Sequence, residues 1–160
     1  MPDDEAGRVR ALAAILRGRA EAVPDSSSLG ETGALLDELN TVDRDTHAAF
    51  KQLMDRAEAG QVTDAQAADA VDHDVISPLK QFLDDAAAFH VPAKHAALVA
   101  AMTSYVEKRI LAYEDLAVAG RATDEATASA RAQRFQPDYD AADAQRQVIS
   151  SELQRLADEQ

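Results

Sequence analysis

The side chain in this sequence most out of keeping with its surroundings is Arg109. It falls on an apolar helical stripe made of Leu98, Met102, Tyr105, Tyr113 and Leu116. A guanidinium in such a seam must either find a partner or snorkel to water, because an unpaired buried charge costs several kcal/mol. Counted along ideal helices, Arg109 lies about 12 residues from the corner that follows it, and Asp72 about 11 from an equivalent corner. Asp72 also sits beside its own helix's stripe, between Ala68 and Val75. The expectation is therefore a buried pair of Arg109 with Asp72, with the Tyr105 hydroxyl close by. Its functional form would be an anion-binding pocket in a helical core, built from Arg109, Asp72 and Tyr105.

The histidines raise the question of a metal. Asp43 with His47, and Asp69 with His73, are each spaced i,i+4, so each pair shares a helix face. If the two stretches form a hairpin, all four side chains stand at nearly one height and would make a weak zinc-type site. Neither histidine is central in its apolar stripe, so solvated flank residues are the preferred reading. Glu-x-x-His pairs of the di-iron kind do not occur. His90 and His95 belong to the other end and are expected to serve a corner. The acidic run Asp69, Asp72, Asp74 lacks the glycine-turned loop that wraps calcium, and reads as negative charge near a helix N-terminus. With no cysteine, thiol catalysis, disulfides and attached haem are excluded. Ser77-Pro78-Leu79-Lys80 fits Ser-x-x-Lys but has no strand pattern or companion motif to complete a nucleophile. No cofactor is expected.

These residues must be positioned by helices. A first helix is expected over 4–23, carrying Val9, Leu12, Leu16 and Ala20 and ended by Pro24. A second, about 31–59, repeats Leu35, Leu36, Leu39, Val42, Thr46, Phe50 and Leu53 at three- and four-residue steps. Gly60 caps it, and Thr63 with Gln66 reads as a capping box opening a third helix that runs to about His90 and is kinked at Pro78. The fourth starts at Pro92 and runs to Gly120. The fifth opens at a Thr123 cap, continues to about Ala157, and is bent at Pro137. The seven aromatic residues mostly follow the apolar seams and are assigned to the core.

Residues 57–64 and 117–124 share Ala-x-Ala-Gly-x-x-Thr-Asp at an offset of 60, so the same corner chemistry is used twice and predicts the same corner geometry. Two αα-hairpins, 31–90 and 92–158, give an all-α, up-down-up-down four-helix bundle with an additional N-terminal helix, all within a single domain over 1–160. An alanine content of roughly a fifth agrees with close helix packing.

The net charge of −13, from 29 acidic and 16 basic residues, argues against nucleic acid and anionic membrane surfaces, and leaves a cationic partner electrostatically open. No apolar run is long enough to span a bilayer, and the acidic start does not read as a signal peptide. Taken as it stands the chain reads as soluble and cytoplasmic, or periplasmic if an upstream signal or lipid anchor has been removed. The function expected is a non-catalytic interaction or regulatory module that binds a protein partner through a helix face. One form of this is an acidic inhibitor or immunity-type protein for a basic partner. The alternative is a small-ligand sensor or carrier with a polar pocket in its core.

Overall fold

The computed structural model describes residues 29–159, which form an all-α bundle of four helices with no strand among the described residues. The helix expected over 4–23 lies outside the described residues. Helix α1 is Gly30–Glu58 and buries Leu35, Leu36, Leu39, Asp43, Thr46 and Leu53 along one face. Its C-terminus closes on Gly60 at φ +71, a left-handed conformation that glycine adopts without steric cost. The Gly60 amide donates to the Ala57 carbonyl at 3.0 Å and the Gln61 amide to that of Arg56 at 2.9 Å, so two carbonyls of the last turn find partners.

Helix α2 covers 64–88 and opens on the expected capping box, the Gln66 amide donating to Thr63 Oγ1 at 3.1 Å and the Thr63 amide to Gln66 Oε1 at 2.9 Å. It is α-helical over Asp64–Ala70, widens to a π-helix over Val71–Ile76, and returns to α over Ser77–Ala88. The wide turn lies immediately before Pro78, whose ring removes one backbone donor. Ser77 donates both its amide and its hydroxyl to the Asp72 carbonyl. The extra residue in the turn lets Val75 and Ile76 both face the core and leaves Asp72 at its edge.

A short 3-10 turn, Ala93–His95, then leads into α3, Ala96–Arg121. Pro92 stands before that turn rather than in the first turn of α3 itself. Helix α3 buries residues on several faces, from Leu98 and Val99 through Tyr105, Val106, Arg109 and Ile110 to Tyr113 and Ala117, and packs against both α2 and α4. At its head the buried His95 hydrogen-bonds Thr32 Oγ1 of α1 through Nδ1 at 2.8 Å, which is a corner role. Burial, and then the Lys94 charge, hold the His95 pKa below its ordinary value, which favours the neutral ring in this contact.

Helix α4 is Glu125–Asp158 and runs without interruption through Pro137. Its cap is Asp124, which accepts the Thr127 amide at 2.7 Å, and not Thr123. Position 126 is alanine, so the reciprocal glutamine contact that fixes the cap at Thr63 has no counterpart here, and the carboxylate one residue later takes the role. The second corner departs from the first in its glycine as well. Gly120 is an ordinary helical residue of α3, and its value lies in closeness: a Cβ there would meet the Asp64 carbonyl oxygen at 2.8 Å and the Ala68 Cβ at 3.2 Å. Shared sequence at the two corners has not produced shared geometry.

Candidate functional site

Where α1, α3 and α4 meet, a polar cluster takes the place of the apolar core. Arg109 is 1% exposed. Its carboxylate partner is Asp43 of α1, not Asp72. Asp43 Oδ1 accepts from both Arg109 Nη1 and the Tyr105 hydroxyl, and Oδ2 accepts from Arg146 Nη2 at 3.1 Å. Arg146 Nη2 also reaches the Tyr105 oxygen at 2.6 Å, while Arg109 donates to Tyr113 OH at 2.7 Å and to Thr46 Oγ1 at 3.3 Å. The sequence reading therefore places Arg109 and Tyr105 together correctly and chooses the wrong acid. Asp72, turned to the edge of α2 by the π-helical stretch, pairs at the surface with Arg121 of α3 at 2.5 Å, and Asp69 meets the same guanidinium at 2.6 Å.

Two guanidiniums share one buried carboxylate, which leaves one positive charge in excess. The nearest further acid is Asp143, whose Oδ1 is 4.0 Å from Arg146 Nη1. The rest is spread over aromatic faces: Arg109 Cζ lies 5.2 Å from the Tyr113 ring centroid and 5.8 Å from that of Tyr105, and Arg146 Cζ lies 5.2 Å from the Tyr105 centroid. Burial alone would favour the neutral forms of both arginines. Tyr105 and Asp43, joined by Tyr113 at Arg109, outweigh it and hold both above their ordinary range. Burial also pushes the Tyr105 hydroxyl up, so it stays protonated and able to donate. Most of the cluster's donors and acceptors turn on one another, while Arg109 Nε and Arg146 Nη1 are buried without a hydrogen-bond partner among the described residues.

The four residues considered for a metal are not gathered. His47 sits beside Asp43, Nδ1 to Oδ1 at 3.8 Å, and its Nε2 hydrogen-bonds Tyr139 OH at 2.7 Å. Asp69 is engaged by Arg121, and the exposed His73 contacts its neighbour Asp74 at 2.8 Å. Among the described residues no three histidine, aspartate or glutamate side chains stand close enough to hold an ion.

Sequence reasoning missed Arg146 and the burial of Asp43, although both carried a signal. Arg146 is four residues after Ala142 and three before Ile149, within the α4 stripe. Asp43 is four after Leu39 and three before Thr46 on α1. Each breaks an apolar seam in the way Arg109 does.

A second feature opens to the surface between α3 and the first half of α4. It is a cleft of about 560 Å³ lined by Leu111, Asp115, Arg131, Arg134, Pro137 and Asp138. No residue of α4 before Ala142 is fully buried, so this half of the helix leaves room beside α3. Leu111 stands 52% exposed at the cleft, although α3 is the most buried helix. Asp115 is only 6% exposed, and its carboxyl lies against that of Asp138. Its Oδ1 lies 3.7 Å from Arg131 Nε. Burial, followed by the hydrogen bond and charge of Asp138, raises the Asp115 pKa to about 6, against the pull of Arg131 and Arg134. The rim residue Glu114 is drawn toward Lys80 of α2 at 3.6 Å.

No family model matches the chain, and no curated protein or solved structure matches it.

Proposed function

We propose that the protein is a non-catalytic interaction or regulatory module that binds a protein partner through the outer face of α3 and α4. The observation that carries this reading is the exposed Leu111 beside the cleft, on a helix whose other large apolar side chains are mostly buried. Val118, 37% exposed, lies two turns further along the same face of α3 and extends it. Apolar groups set among charged neighbours suit a contact with a fully buried centre and a polar rim. The net charge of −13 favours a basic partner, the acidic-inhibitor form of the same reading. Up-down ordering of the helices would leave this face free along its length.

The test is affinity capture from the native source with the wild-type protein and with Leu111→Asp, Val118→Asp. Both side chains are exposed, so the fold should survive. Loss of a captured partner in the double variant supports the face; an unchanged set of partners defeats it. The small-ligand reading is favoured by one observation, a cleft volume within the range of small-molecule sites. It moves the site from the core cluster to the surface.

A further inference from the structure

The outer seam between α3 and α4 is apolar along much of its length. Leu111, Val118 and Val148 are the exposed large apolar side chains among the described residues, and all three stand on this seam. Val148, 41% exposed, follows Ala130 of the cleft wall by about five helical turns and so faces the same way. Ala141 and Ala144 continue the α4 side between Pro137 and Val148. An apolar strip of this kind marks a contact surface. Exposed acids edge it on both sides, Glu107 one turn before Leu111 on α3 and Asp140 one turn after Pro137 on α4. Arg131 and Arg134 act on Asp115 within the cleft.

One stretch of the chain matches this seam. Residues 8–20 carry four arginines and no acid, in a chain whose net charge is −13. On the helical spacing expected there, Val9, Leu12, Leu16 and Ala20 share one face. Arg8 and Arg19 flank that face on one side and Arg10 and Arg17 on the other, each about 80 to 100° from Val9. An apolar ridge between guanidiniums is the complement of an apolar seam between carboxylates. The tether also starts in the right place. Helix α1 begins at the end of the bundle where α3 starts and α4 stops, since Thr32 bonds His95 and Arg155 donates to the Lys94 carbonyl at 3.4 Å. From that end Val148 lies about 10 Å along α4 and Leu111 about 24 Å along α3. Residues 21–28, extended, reach up to about 26 Å, enough to pass round the end of a bundle whose helices stand about 10 Å apart. The stretch from Ala20 to Val9, about 16 Å as a helix, then covers the levels from Val148 to Leu111. Tethering adds an effective concentration that a free partner lacks. We propose that residues 8–20 of this same chain dock in the α3–α4 seam, with Leu12 and Leu16 between Leu111 and Val148, and compete with a partner for it. The competition rests on this face being the partner-binding face; the docking does not.

A spin label reports the docking in the full chain. The protein has no cysteine, so Ala14→Cys takes a single nitroxide on the side away from Val9 and Leu16. Amides of 107–118 and 137–148 should lose most of their intensity and regain it when the nitroxide is reduced. Leu12→Asp with Leu16→Asp should abolish that loss, as should Leu111→Asp with Val118→Asp, while helicity and thermal unfolding stay those of a folded protein. Arg8→Gln, Arg10→Gln, Arg17→Gln and Arg19→Gln together should reduce it. Broadening confined to residues beside Leu29, centred on α1 or α2, or unchanged in either variant of the segment would overturn the proposal. So would broadening passed to an isotope-labelled chain without the nitroxide, which would make the occupant a second copy. Leu12→Asp with Leu16→Asp should also raise partner capture. Broadening of the seam with capture indifferent to Leu111→Asp and Val118→Asp defeats the partner reading alone, and capture lost in that variant without any broadening of the seam defeats the docking alone.

Discussion

Asp43 is the residue on which the buried cluster depends. Removing it strands two guanidiniums in the core, so Asp43→Ala should cost about 3 to 5 kcal/mol in urea unfolding. Arg109→Ala leaves Asp43 still paired with Arg146, and a double-mutant cycle should show strong coupling of Arg109 to Asp43 and coupling near zero to Asp72. Asp72→Ala itself should cost about 1 kcal/mol or less, because its pair with Arg121 is exposed. Neutralising the cluster needs all three charges replaced together. Asp43→Leu, Arg109→Met, Arg146→Met should recover much of the stability lost in Asp43→Ala, whereas omitting Arg146→Met leaves a lone buried charge and should not.

At the scale of the elements, the two corners make opposite demands on their glycines. Gly60 needs a left-handed backbone with open space around it, and Gly120 needs closeness with an ordinary backbone. Gly60→Asn should be well tolerated and Gly60→Val should cost about 1 to 2 kcal/mol, since asparagine visits the left-handed region and a β-branched residue resists it. Gly120→Ala should cost about 1 to 3 kcal/mol, because its methyl group would push α3 away from the backbone of α2. The caps separate in the same manner. Asp124→Ala should lose about 1 kcal/mol and Thr123→Ala little, a comparison that thermal melts of the two variants decide.

For the whole molecule the notable electrostatic feature is a pair of acid contacts between helices, Glu38 of α1 with Asp85 of α2 and Asp115 of α3 with Asp138 of α4. The hydrogen bond that Glu38 donates to Asp85, then burial and the Asp85 charge, raise Glu38 to about 7. A raised acid stabilises the fold fully below its unfolded pKa, and that contribution is lost as pH rises through the folded value. Glu38 therefore withdraws support between about pH 4.5 and 7 and Asp115 between about 4 and 6. Asp85, held low by its hydrogen bonds to Glu38 and Gln81, acts in the opposite sense and only on acidification below its ordinary value. The melting temperature should fall from about pH 5 to pH 8, and Glu38→Gln, which keeps a donor for Asp85, should flatten that slope. A slope unchanged in Glu38→Gln would show that the Glu38–Asp85 contact does not link stability to pH.

The all-α class, the four described helices, the Gly60 corner and the Thr63 capping box were legible in the sequence, because apolar periodicity and cap chemistry act within a few residues of one another. The burial of Arg109 was legible for the same reason, since its neighbours at three- and four-residue steps are apolar. Its partner was not. Choosing between Asp43 and Asp72 requires the rotation of each helix about its own axis, and the π-helical stretch before Pro78 reset that rotation for α2. Gly120 was marked as special by sequence, but only the approach of α2 explains why. The cleft beside Leu111 depends on how far the first half of α4 stands from α3, a distance between helices that no local pattern encodes. Residue types and their spacing determined which side chains had to be inside; the packing of helix against helix decided which of them meet.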